Sequence, residues 1–68
     1  MMELLRTEVG RYTVLTEKAG MEWQSSLYEG HVHKVAPIVR VYTIGVREAQ
    51  DAHRNLVRMG TNIQKKKQ

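Results

Sequence analysis

The strongest constraint on this chain is a change of hydrophobic rhythm at Gly45. Ahead of it, Ile38-Val39-Arg40-Val41-Tyr42-Thr43-Ile44 is β-branched or aromatic at almost every position, as a pleated and buried strand requires. Beyond it, from about Val46 to Met59, apolar residues recur at helical spacing. At about 100° per residue, Val46, Ala49, His53, Leu56 and Val57 share one face, while Arg47, Asp51, Arg54 and Arg58 line the opposite one. A strand that leads directly into an amphipathic helix offers that helix a nearby apolar surface to cover, a face of its own sheet. Gly60 reads as the helix stop. Both faces of 38–44 are largely apolar, so this strand is expected at the centre of the sheet or against a partner.

The upstream half has the period of two that belongs to strands. Arg11 to Glu17 is rich in β-branched and aromatic residues, and from Met21 to Tyr28 the alternation is clean. Met21, Trp23 and Leu27 fall on one face, with Glu22, Gln24 and Ser26 on the other. Lys18-Ala19-Gly20 is expected as a three-residue hairpin loop. Glu29-Gly30 is the next turn signal, with a short strand expected over 31–36, before Pro37, which has no N–H to give to a ladder. Residues 1–9 fit a strand or a short helix, and their tight connection through Gly10 to a clear β segment favours the strand.

The expected fold is therefore α+β: a small antiparallel sheet of three or four strands with one C-terminal helix packed on a face. Its core is expected to hold Val14, Trp23, Leu27, Val39, Val41, Ile44, Ala49, Leu56 and Val57. Residues 1–63 form one domain, and 64–68, with Lys65, Lys66 and Lys67, are expected as a disordered basic tail. A chain of 68 residues buries only roughly 60% of the surface its unfolded form exposes, so a homodimer is expected, through a strand edge or the second face of 38–44.

Composition narrows the function by exclusion. The absence of cysteine removes a disulfide framework, a thiolate metal site and a cysteine nucleophile. No segment approaches the roughly 18 apolar residues of a membrane span. The start, Met1-Met2-Glu3-Leu4-Leu5-Arg6, has neither a long apolar region nor a cleavage site, so a cytoplasmic protein is expected. Ser25-Ser26 sit within a strand pattern with no nucleophile elbow, glycine-rich phosphate loops are absent, and the glutamates are scattered. An enzyme is not expected, and no cofactor is implied. His31 and His33 share one face of their segment, with Glu29 or His53 as further ligands in principle, but His-x-His is a weak pattern and no metal site is assigned.

Charge is more informative. Residues 1–30 carry three cations against five carboxylates, whereas 31–68 carry eight against two, so a net −2 faces a net +6. Such asymmetry points to an anionic partner for the second half, nucleic acid foremost. The candidate surface is Arg47, Arg54 and Arg58 on one helix stripe, extended by Lys65, Lys66 and Lys67, with Arg40 beside it in charge. Arginine forks bind phosphate bidentately, and spacings of seven and four residues project the three along about 16 Å of helix. Asp51 interrupts the stripe; its expected role is an i,i+4 ion pair with Arg47. Tyr28, on the strand face opposite Trp23, and Tyr42 are expected outside, where they would stack on bases or anchor a protein interface.

The element order is loosely similar to that of double-stranded-RNA-binding domains. Where those carry a lysine cluster at the helix start, this chain reads Val46-Arg47-Glu48-Ala49-Gln50-Asp51, with one base and two acids, and no family is assigned. The expectation is a small binding module that contacts nucleic acid or a nucleoprotein through a basic helix face and tail. The alternative is a protein-binding inhibitor or adaptor of the phage or mobile-element accessory type, acting on a larger complex.

Overall fold

The computed structural model describes residues 2–30, 32 and 34–66. Strands β1 (Met2–Val9), β2 (Tyr12–Ala19), β3 (Glu22–Glu29) and β4 (Val39–Thr43) form one antiparallel meander in chain order, and helix α1 (Val46–Lys66) packs across one face. The fold is α+β, and residues 2–9 form a strand.

The first hairpin is tight, as the sequence implied, and the second is tighter than the sequence pattern implied. Val9 pairs with Tyr12 and Ala19 with Glu22, which leaves the two-residue loops Gly10-Arg11 and Gly20-Met21 rather than a loop over 18–20. Gly10 and Gly20 have φ of 60° and 66°, the positive angle that a two-residue hairpin needs at its first loop position and that glycine supplies without strain. The strand expected over 31–36 is not formed: Val32 and Lys34 lie in turns and Val35 in a bend. His31 and His33 lie outside the described residues. Gly30 swings the chain away from the line of β3, and the ladder resumes only beyond Pro37, where the Ile38 N–H donates to the Leu27 carbonyl at 2.7 Å.

Strand register sorts side chains onto two faces. Thr7, Val14 and Leu27 with its partner Val39 face α1, as do Thr16, Ser25 and Val41 one pair further along. Tyr12, Val14, Leu27 and Leu56 make the central cluster, against which Val39, Val41, Val57 and Ile63 pack. Val14, Trp23, Leu27, Ala49 and Leu56 are buried as expected. Ile44 is not: at 71% exposure it lies past the end of β4 and outside the core. Nor is β4 central. It is an edge strand, half-buried at Val39, Val41 and Thr43 and exposed at the alternate positions.

Gly60 does not stop the helix. It is buried in the helix face against the sheet, where a Cβ would stand 3.4 Å from Leu27 Cδ1 and 3.6 Å from Tyr12 Cβ. Glycine here serves close packing of helix on sheet, and α1 continues through Ile63 to Lys66. Gln64, Lys65 and Lys66, expected in a tail, form the last helical turn, with the Gln64 side chain lodged against Gly10.

The sheet face away from α1 is also partly closed. Thr13, Leu15, Ser26 and Tyr28 are buried there, and Tyr28, expected outside, is only 4% exposed. Arg40 accounts for part of this cover, since its guanidinium lies along the neighbouring strand and donates to the hydroxyls of Ser26 at 2.8 Å and Tyr28 at 3.0 Å.

Candidate functional site

Because α1 runs through Gly60, its outer surface is longer and more regular than a helix ending at Met59 would allow. Arg47, Arg54, Arg58 and Lys65 are separated by seven, four and seven residues, which at about 100° per residue keeps all four within about 20° of one line. The line runs opposite the buried residues Ala49, Leu56 and Gly60, so all four side chains point away from the sheet and all are exposed. At about 1.5 Å per residue they span about 27 Å of helix. Lys65 thus belongs to a fixed stripe and not to a loose tail. Lys67 lies outside the described residues.

Two carboxylates border this stripe. Asp51 pairs with Arg54, three residues on, rather than with Arg47 as expected. Both partners are well exposed, so the pair contributes little to stability. Glu48 sits in the first turn and Lys65 with Lys66 in the last, an arrangement that also complements the helix dipole. Arg47, Arg58, Lys65 and Lys66 make no ion pair among the described residues. Beside the stripe, Asn55, Met59, Asn62, Ile63 and Lys66 join Arg58 around a shallow depression of about 410 Å³. The two amides were not singled out from sequence. Their relation to Arg58 shows only once the helix is known to continue past Gly60.

Arg40, Tyr28 and Tyr42 are on the other side of the molecule. Their strand positions face away from α1, so the structure does not bring them together with the arginine stripe. Tyr28 is buried and hydrogen-bonded to Arg40, which leaves no ring face for a base. By accepting that bond Tyr28 raises the arginine pKa further, against the opposing cost of burial. Tyr42 is exposed to 57%, at the sheet edge.

His53 occupies a third environment, between α1 and the sheet. Its Nε2 lies 2.9 Å from Thr7 Oγ1 and its Nδ1 2.8 Å from Thr16 Oγ1, which in turn lies 2.8 Å from Ser25 Oγ. Both ring nitrogens are therefore engaged by hydroxyls, as a neutral imidazole with one donor and one acceptor allows. Burial pushes the His53 pKa below its ordinary 6.5. It is a core histidine with both ring nitrogens satisfied, and no three metal-ligating side chains converge among the described residues.

A recess of about 220 Å³ on the far side is lined by Arg6, Glu8, Arg11, Thr13 and Val32, with both signs of charge in its wall. No helix of the described residues is long and apolar enough to cross a membrane. No family model matches the chain, and no curated protein or solved structure matches it either.

Proposed function

We propose that the protein is a non-enzymatic binding module that lays the outer stripe of α1 along a nucleic-acid backbone. The observation that supports this reading is the alignment of Arg47, Arg54, Arg58 and Lys65 on one uninterrupted helix. A packed helix holds the four cations in fixed relation, so less freedom is lost when they meet a row of phosphates than for a flexible tail. Arginine forks and a lysine ammonium bind phosphate oxygens without reading bases, so the interaction is expected to be insensitive to sequence. Asn55 and Asn62 add amide donors beside the same row.

Four phosphate contacts give a log–log salt slope of about −3.6, so affinity for duplex falls by about 10²-fold between roughly 50 and 200 mM salt. The test is fluorescence anisotropy of a mixed-sequence duplex with the full chain, the Arg47, Arg54, Arg58 and Lys65 quadruple alanine variant, and Arg11→Ala as a control. Binding by wild type and control, lost in the quadruple variant, is the expected result. Absence of wild-type binding at the lower salt, or binding that survives the quadruple variant, overturns the reading. The Arg54–Asp51 pair favours one alternative, an inhibitor or adaptor that docks on a protein surface of mixed charge. That reading expects no duplex binding and a partner recovered by co-purification whose capture needs Asp51 as well as Arg54.

A further inference from the structure

The sheet has two edges, and only one is protected. β1 carries a register shift between Glu3 and Leu5, a bulge that disturbs the edge ladder, and exposes Glu3, Arg6 and Glu8. β4 has neither device. Its ladder is regular, its one charge is Arg40, and large apolar groups stand exposed along it: Ile38 at 51%, Tyr42 and Ile44. An edge of this kind is a template for another strand.

We propose that the occupant is a second copy of this chain, paired antiparallel to β4 about a two-fold axis at Val41. The pattern of 38–44 is close to palindromic about that residue. With Val41 opposite itself, Val39 meets Thr43 of the second copy, Ile38 meets Ile44, and Arg40 meets Tyr42. Ile38 then faces Ile44 and Tyr42 faces Arg40 in directly opposed pairs, the unit that stabilises sheets. Within each copy the Arg40 guanidinium is turned back over β3 onto Ser26 and Tyr28, so its aliphatic stem is what borders the opposing Tyr42 ring. Moving the axis by one residue to Arg40 would set the two arginines against each other. Like-charge repulsion therefore rejects that shift. The axis is the centre of β4 itself, Val39–Thr43, so all five strand residues take part. The contact closes on itself, as a two-fold requires, and yields an eight-stranded sheet with both helices on one face.

Sedimentation velocity on the full chain from about 5 to 200 μM reads the assembly directly, since mass action makes such a small interface concentration-dependent. Two substitutions at the exposed Tyr42 test the register, with far-UV circular dichroism and Trp23 emission as fold controls. Tyr42→Arg places like charges opposite each other and is expected to leave a 7.9 kDa monomer throughout. Tyr42→Glu places a carboxylate opposite Arg40 and is expected to retain the dimer. A wild type that stays monomeric at the highest concentration, or a dimer that survives Tyr42→Arg, overturns the proposal. Loss of the dimer in both variants overturns the register about Val41.

Discussion

Gly60 shows how one missing Cβ reverses the meaning of a residue. In a solvated helix a glycine near the end invites termination, but here it faces Leu27 and Tyr12 at a distance that just admits a methyl group. Gly60→Ala is therefore expected to raise the melting temperature, with a gain of up to about 1 kcal/mol from helix propensity. Gly60→Val must displace Leu27 and is expected to lose about 1–3 kcal/mol by overpacking, both read by thermal or urea unfolding. His53 makes the residue-scale prediction for pH. Its folded pKa lies below the unfolded value of 6.5, so the unfolded chain takes up the proton first as pH falls. Its contribution is complete above about pH 6.5 and is lost as pH drops towards the folded pKa. The urea midpoint is expected to fall between pH 7.5 and 5.5, and His53→Gln is expected to flatten that dependence. The apolar helix face placed His53 inside correctly from sequence. Its hydroxyl partners were not legible, because Thr7, Thr16 and Ser25 come from three different strands and meet only through register.

Elements were more legible than their ends. The strand periodicity of 11–17, 21–28 and 38–44 and the helix from Val46 all stand in the structure, since each rests on several residues voting for one period. Their limits and neighbours depended on single residues whose role is set by packing. Ile44 reads as strand and core by type, yet the ladder ends at Thr43 and leaves it exposed. Tyr28 reads as outward by alternation, yet Arg40 from the next strand covers it. The last helical turns carry their own prediction. Ile63 packs against the core cluster beyond Gly60, so Ile63→Ala is expected to cost about 2 kcal/mol and to loosen the last turns, which carry Lys65. Duplex affinity should then weaken without any change in charge, measurable by the same anisotropy titration.

At the scale of the molecule, the sheet-and-helix architecture was legible because a short chain has few ways to bury one amphipathic helix and a run of strands. The location of a binding surface was legible only in part. The arginines stood on the predicted outer stripe, while Lys65 joined them through an unpredicted continuation of the helix. With so thin a core, Leu27→Ala, at the fully buried centre where β2, β3 and α1 meet, is expected to cost about 2–5 kcal/mol, comparable to the whole stability of a domain this small. Loss of the unfolding transition in circular dichroism would record it.

The polar chain from Ser25 through Thr16 and His53 to Thr7 has a consequence of another kind. Apolar strands tolerate sliding by two residues, because each new neighbour is still apolar and still on the correct face. Hydroxyls and an imidazole do not, since a partner lost in a dry interior is not replaced. β1, β2 and β3 must each be at the correct position before this chain of contacts closes against α1. It therefore works as a checksum on strand alignment, one that rejects a misaligned sheet which hydrophobicity alone would accept.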